Sequence, residues 1–512
     1  MTTAASAPTA TKPEHFDVLI VGAGISGIGA AYHLKDQMPG TSFLIVDALD
    51  HYGGTWWTHK YPGIRSDSDL YTFGYRFKPW MGEPIATAEK ILAYMGEVIE
   101  ENDLGRHIRY KHKITDASWD SDACRWTVEA RRLDTGETVH FTTNFLWMCQ
   151  GYYRHDKGYT PEWPGMADFK GDIVHPQTWP QDIVLKDKKV VVIGSGATAA
   201  TLVPSIANEV AHVTMLQRSP TYFTPGRNAD DLADTLRALD VDPKWIHEIV
   251  RRQRLHMGNL FTGRAFSEPE AVKQELLAMV RASLPEGYDV EKHFTPKYLP
   301  WRQRIAFVPD GDLFKGIHAG KASVVTDEID RFVENGILLK SGEVLEADII
   351  VTATGFDMCV LGDIAFTVDG KRVDFADTVT WRGMMFTGVP NLVWVFGYFR
   401  ASWTLRADLL GDFVCRLLKH MKAKGVSKVV TELRPHEQSQ ERVPWMDPDN
   451  FNPGYLMRAM HLLPKRLADP EWQHTQDYMR EKEELPKIDL DSDVFHYTKA
   501  KAAAPVREPT PA

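Results

Sequence analysis

Two glycine-rich turns constrain this 512-residue chain more than any other feature. The first is Gly22-Ala23-Gly24-Ile25-Ser26-Gly27; the second is Gly194-Ser195-Gly196-Ala197-Thr198-Ala199. A short apolar run, Phe16 to Val21, leads into the first. Ile25, Ile28, Ala31 and Leu34 then recur at roughly helical spacing, and Pro39-Gly40 stops the pattern. Ser42 to Val46 reads as the next strand and ends on Asp47. Strand, glycine turn, helix, strand and terminal acid form the context in which G-x-G-x-x-G binds a dinucleotide. The first two glycines let the backbone turn and approach a pyrophosphate, and the third lets the helix pack on the strand. The helix N-terminus favours phosphate charge, and Asp47 can accept both ribose hydroxyls.

The second unit repeats the plan with two changes. Lys189 to Ile193 leads into Gly194 and Gly196, and Ala199 stands in the third glycine position, still small enough for close packing. Pro204 falls inside the following helix and is expected to kink it. His212 to Leu216 is the next strand, ending in Gln217-Arg218-Ser219. Arg218 thus replaces the acid. A guanidinium grips a 2′-phosphate bidentately where a carboxylate would repel it. The second unit therefore reads as an NADPH site and the first as an FAD site.

Between the turns lies Phe169-Lys170-Gly171-Asp172-Ile173-Val174-His175-Pro176-Gln177-Thr178-Trp179-Pro180. Phe169, Gly171, His175, Trp179 and Pro180 match F-x-G-x-x-x-H-x-x-x-W followed by Pro or Asp. With this stretch between two dinucleotide fingerprints, the chain resembles the Baeyer–Villiger monooxygenases, a branch of the class B flavoprotein monooxygenases. The run Phe294-Thr295-Pro296, Pro300-Trp301 and Val308-Pro309-Asp310-Gly311-Asp312 is similar to the branch containing ethionamide-activating monooxygenase.

The resemblance implies FAD and NADPH as cofactors, O₂ as co-substrate, and a ketone converted to an ester or lactone, with sulfides as further substrates. It implies that Gly54, Thr55 and Trp56 lie along the flavin, and that Asp67, after Tyr61-Pro62-Gly63-Ile64-Arg65-Ser66, reaches the catalytic centre. Trp56 and Trp57 read equally well as core packing. Arg304 is the implied catalytic cation and Asp67 its partner. Arg302 competes for that role, and Arg65 stands third. A domain-orienting hydrogen bond suits His175 better than acid–base work.

The motif order implies an α/β chain with two Rossmann-like dinucleotide-binding domains and a helical insertion. Residues 1–150 and 356–512 would form the FAD domain, 151–220 and 298–355 the NADPH domain, and 221–297 the insertion. Within this frame Arg125 to Ala130 and Thr138 to Trp147 predict a β-hairpin. Ala229 to Pro285 reads as helical, with Asp242-Pro243 starting one helix and Ser267-Glu268-Pro269-Glu270 a capping box opening another. Phe294 to Phe314 reads as loop. Asp348 to Thr352 reads as a buried strand before Ala353-Thr354-Gly355, and Asn391 to Phe396 as another. Ala401-Ser402-Trp403-Thr404 precedes a long amphipathic helix, ended by Gly425, whose start is expected to face the flavin.

Composition narrows the alternatives. Lys and Arg number 59 against 69 Asp and Glu, a net charge of −10, which argues against general affinity for nucleic acid or anionic membrane. The N-terminal residues to Pro13 lack a basic start and an apolar core, and no apolar run is long enough to span a bilayer. Cys124, Cys149, Cys359 and Cys415 are scattered, so neither a disulfide framework nor a zinc site is expected. A cytoplasmic setting fits. Residues from Ala500 on are Ala/Pro-rich and read as disordered. Three rivals remain. A flavin-containing monooxygenase acting on N or S atoms would end its motif in an aromatic other than Trp179. A disulfide reductase needs paired cysteines. A non-catalytic NADPH-sensing module would carry no flavin.

Overall fold

A computed structural model describes residues 13–501. The readings of the extreme N-terminus and of the tail beyond Lys501 lie outside them.

Two sheets organise the molecule. In the first, strand Glu14–Val21 lies parallel between Phe43–Val46 and Thr138–Met148. The strand Thr138–Met148 also pairs parallel with Leu392–Trp394, far along the chain. An antiparallel meander, His112–Asp120, Arg125–Arg132 and Thr138–Met148, extends the sheet to nine strands. The hairpin expectation holds, but its neighbour His112–Asp120 was not read from the sequence. The second sheet has five strands, all parallel, in the order Ala322–Thr326, His212–Gln217, Lys189–Ile193, Ile349–Thr352, Asp172–Val174. Its central strands are buried Val/Ile runs, as expected when both faces are covered.

The chain crosses between the sheets at Tyr153–Gly158 and again at Phe356–Met358. These two crossings pair antiparallel, so one narrow ribbon joins the sheets.

Helices Asp231–Ala238, Pro243–Ser267, Pro269–Ala282 and Val290–Phe294 form the insertion. The capping box does not form. Helix Pro243–Ser267 runs through Ser267, which leaves Glu268 as the N-terminal flank of the next helix, without a side-chain cap. The stretch Phe294 to Phe314 is not all loop either: Ala306–Pro309 pairs parallel with Phe223–Gly226, and a helix starts at Asp312.

Helix Trp403–Lys424 forms as expected and ends with Gly425 in the left-handed region. It packs on helix Ile25–Gln37 so closely that a Cβ on Gly411 would fall 2.4 Å from the His33 ring. Beyond Val430 the sequence reading had no structure to offer. There, strand Lys428–Thr431 pairs antiparallel with Phe495–Thr498, and buried Trp445 and Trp472 anchor the segments between. No helix among the described residues is long and apolar enough to cross a membrane.

Candidate active site

The first glycine turn divides its labour by position. Gly22 has φ +104°, and a Cβ there would fall 2.6 Å from the Cys149 carbonyl oxygen. A Cβ on Gly27 would fall 1.8 Å from the Gly22 carbonyl oxygen, so helix and strand meet only because Gly27 has no side chain. Gly24 differs. The only atom near its would-be Cβ is the Gly54 Cα, 3.8 Å away. Two glycines thus face each other in close backbone contact. Helix Ile25–Gln37 starts there with no side-chain cap, whereas Asp69, Thr87, Asp230, Asp242, Asp289 and Asp477 each cap another helix. Free N–H groups above a glycine floor fit a pyrophosphate.

Asp47 is buried, and its Oδ2 accepts from Ala23 N at 2.5 Å and Oδ1 from Leu49 N at 2.8 Å. Burial pushes its pKa up, and the two N–H bonds oppose that shift. Each oxygen keeps a lone pair for a ribose hydroxyl. Around this turn, Thr55 Oγ1 bonds Tyr153 Oη at 2.6 Å, and Trp403 Nε1 donates to Ser26 Oγ at 2.8 Å. Trp403 puts the start of its helix against the first turn. Trp56 packs edge-on against Phe73. Trp57 turns outward, with Nε1 bonded to Asp50 and Lys60 over its ring.

The second turn is looser. Gly194 has φ +125° and abuts the Ala353 carbonyl oxygen, as Gly22 abuts Cys149, but a Cβ on Gly196 would meet nothing within 4 Å. Ala199 is fully buried and its methyl is accommodated. Helix Ala197–Ile206 contains Pro204 and begins without a side-chain cap. Gln217 at the strand end is buried, donating to His293 O at 2.7 Å and Thr326 Oγ1 at 2.8 Å. Arg218 and Ser219 beyond it are exposed. Among the described residues Arg218 has no ion-pair partner.

Arg304 and Asp67 meet across 237 positions of sequence. Nε donates to Oδ2 at 2.5 Å and Nη2 to Oδ1 at 2.6 Å, a bidentate pair. Ser68 Oγ lies 3.4 Å from the same Nη2. Burial works against the Arg304 charge, but the Asp67 charge and hydrogen bonds outweigh it and hold the guanidinium above its usual range. Tyr152 and Tyr455 lie within electrostatic reach. Burial pushes the Tyr152 phenol up to about 12 and raises that of Tyr455 further. The Arg304 side chain is still 43% exposed, so one side of the pair faces solvent. Neither tyrosine was singled out from the sequence, because only the fold brings them here.

The competing arginines go elsewhere. Trp301 has a left-handed φ of 62°, and beyond it Arg302 Nη1 donates to Asp449 O at 2.8 Å. Arg65 Nη1 pairs with Asp312 Oδ2 at 2.6 Å.

The stretch between the turns braces the crossing ribbon. Phe169 is buried edge-on against Phe332, and a Cβ on Gly171 would fall 2.0 Å from Asp348 O. His175 Nδ1 accepts from Gln177 N at 3.1 Å, which leaves the proton on Nε2, buried without a partner. The His175 ring lies against Gly158, where a Cβ would fall 1.9 Å away. Burial lowers its pKa, and the Gly355 backbone opposes the shift. Gln177, which sequence reasoning missed, donates from Nε2 to the carbonyls of Arg154 and Lys157. Trp179 is buried and Pro180 half-buried.

Two glycine turns, each opening an uncapped helix, and an arginine–carboxylate pair fit a two-dinucleotide flavoprotein oxidoreductase. Comparison with known proteins narrows this class. Residues 20–80 match the NAD(P)-binding Rossmann-like domain, and residues 81–231 match the family described as flavin-binding monooxygenase-like. The chain is 45% identical over 501 residues to the FAD-containing monooxygenase EthA of Mycolicibacterium smegmatis, covering 96% of this chain and 98% of that one. It is 44% identical to EthA of Mycobacterium tuberculosis, covering 96% and 99%. Among solved structures, an oxidized steroid monooxygenase bound to NADP superposes with a TM-score of 0.75 at 23% identity, covering 95% of this chain and all of that one. A cyclohexanone monooxygenase in an open form gives 0.72 at 20%, with the same coverage. The chain belongs to the FAD-containing monooxygenases. It is an NADPH-dependent flavoprotein built on the Baeyer–Villiger monooxygenase fold.

Proposed function

We propose that this enzyme inserts one O₂-derived oxygen beside a ketone carbonyl, giving an ester or lactone, and that it also oxidises sulfides. The observation that carries this reading is the bidentate Arg304–Asp67 pair, exposed on one side. FAD, when bound and reduced by NADPH, supplies the oxygen chemistry. Arg304 holds a fixed positive charge where negative charge develops on the reacting oxygen, and Asp67 locks the guanidinium plane so that no reorganisation is needed. Tyr152 and Tyr455 keep that side of the site apolar. Gly22, Gly24, Gly27, Asp47, Gly54, Thr55 and Trp56 hold FAD, and Asp67 faces it. Gly194, Gly196, Ala199, Arg218 and Ser219 hold NADPH. Phe169, Gly171, His175, Trp179 and Pro180 orient the two domains, divided as read from the sequence. Its substrate is a small ketone or sulfide, and its setting the cytoplasm.

Arg304→Ala tests the assignment. Loss of a preorganised electrostatic donor lowers rate by about 10²–10³. Ester formation should fall by that factor while flavin content stays near wild type and NADPH oxidation shifts toward hydrogen peroxide. Arg302→Ala is the comparison. A greater loss of ester in Arg302→Ala than in Arg304→Ala would exchange the two roles.

A further inference from the structure

Arg302 and Arg400 make a second cationic site, distinct from the Arg304–Asp67 pair. Both guanidinium groups lie on one ring, 5.2 Å and 5.0 Å from the centre of Phe266. Phe266 is exposed at the C-terminal end of helix Pro243–Ser267. Arg400 also lies 5.1 Å from the centre of the buried Phe451 ring. Backbone carbonyls pin both arginines. Arg302 Nη1 donates to Asp449 O, while Arg400 Nε donates to Trp301 O at 3.1 Å and Nη2 to Asn450 O at 2.6 Å. Asn452 closes the clamp: its N–H donates to Arg302 O at 3.1 Å, and its Oδ1 accepts from Gln303 Nε2 at 3.2 Å.

These bonds leave Arg302 Nε and Nη2 and Arg400 Nη1 unused, and none of the three is a buried orphan. Among the described residues no carboxylate lies within ion-pair distance of either arginine. Arg304, Arg65 and Arg406 each have one, in Asp67, Asp312 and Glu481, whereas Arg416, also held by backbone carbonyls, stands alone among the described residues with no second arginine beside it. Burial and the neighbouring Arg302 charge push Arg400 down to about 10. Two like charges fixed together without a counter-charge raise the free energy of the empty site, and an anion relieves it.

We infer that Arg302 and Arg400 receive the carboxylate end of the substrate, so that the substrate class is an apolar chain carrying a carboxylate at one end and the oxidised ketone or sulfide at the other. The inference rests on the Baeyer–Villiger reading. Arg302 and Arg304 are two positions apart on one loop, a backbone span of about 7 Å at most, and their side chains diverge. Asn450 and Asn452, at the carboxylate site, stand just ahead of Tyr455, which faces Arg304. A molecule anchored by its carboxylate would run along this segment toward Arg304, with Phe266 and Phe451 flanking its head.

The test uses the FAD-loaded enzyme and a homologous series of methyl ketones ending in a carboxylate, each paired with its methyl ester. At one chain length kcat/KM should favour the acid over its ester by roughly tenfold or more, the scale of a charge-assisted hydrogen bond. That ratio should fall toward unity in Arg302→Met and Arg400→Met, and recover in Arg400→Lys. No preference for the acid at any length, or a preference that survives both Met variants, overturns the inference. So does a rise in the NADPH KM of those variants with the acid preference intact, because the pair would then serve a cofactor phosphate. If no ketone of either kind is oxidised, the Baeyer–Villiger reading fails separately. Calorimetric binding of a plain alkanoate still decides the site: at least tenfold weaker in Arg400→Met supports it, and unchanged binding refutes it.

Discussion

The two glycine turns share one backbone plan and differ in tension and charge. In the first, Gly27 is locked against the Gly22 carbonyl and the acid Asp47 is buried against two N–H groups. In the second, a methyl is tolerated at Ala199, and the strand ends in an exposed, unpaired Arg218. A cofactor that stays bound suits a site whose backbone is locked and whose acid is held in place. A cofactor that comes and goes suits an open site whose charge waits for a partner. The two copies of the motif differ most tellingly at the third glycine and at the strand-end residue.

The largest expected effect breaks the comparison at its tightest point. Gly27→Ala drives a methyl into the Gly22 carbonyl, and soluble flavin-loaded protein should be lost. The reverse change in the second unit, Ala199→Gly, should cost only about 1 kcal/mol of helix stability, and thermal melting of the two variants checks the asymmetry. A Gly27→Ala protein that melts like wild type would mean the two turns are equally loose.

A Cβ on the second glycine of each turn meets nothing closer than ordinary contact, 3.8 Å at Gly24 and nothing within 4 Å at Gly196, so both Gly24→Ala and Gly196→Ala should fold. A methyl intrudes where backbone would meet pyrophosphate. Gly24→Ala should therefore purify colourless or flavin-depleted, while Gly196→Ala stays yellow with a raised NADPH KM. Flavin absorbance and steady-state kinetics read the two outcomes, and full flavin in Gly24→Ala would displace the first site.

Charge gives a smaller effect. Loss of one charge-assisted contact is worth about 1.5–3 kcal/mol, roughly 10–150-fold. Arg218→Ala should raise the NADPH KM by that factor and leave the NADH KM nearly unchanged. An unaltered NADPH/NADH ratio would remove Arg218 from the site.

The smallest effect, counted per pH unit, concerns titration. His59, beside the first turn, is 5% exposed, and burial lowers its pKa to about 4. Between that value and the ordinary 6.5 the unfolded chain binds a proton that the folded chain refuses. Stability should therefore fall as pH drops through this window, by up to roughly 1.4 kcal/mol per unit. His59→Gln should remove about one proton from the slope of denaturation free energy against pH. An unchanged slope would show that other groups carry it.

Legibility in the sequence followed the range of the physics. Glycine turns, the charge at each strand end and the Gly425 helix stop depend on residues within a few positions, and the structure shows each turn, strand end and stop where the sequence reading puts it. The capping box at Ser267 failed because a cap competes with continuing the previous helix, and packing across the insertion settled that competition. Arg302 and Arg304 carry the same charge two positions apart, and no local rule separates them. The fold does, by turning one toward Asp67 and the other toward Phe266 and Asp449. The segment after Val430 was unread because its short strands and turns take their form from what they pack on. It nevertheless supplies Tyr455 beside the site and the clamp on Arg302 and Arg400. The sequence alone thus determined the two glycine turns and their opposite charges, since these rest on backbone sterics and residue type, while the class of chemistry followed from the resemblance its motifs carry. Which arginine meets the carboxylate, and what walls surround it, was decided only by tertiary structure, because those contacts join residues hundreds of positions apart whose meeting depends on how the sheets and the ribbon between them pack.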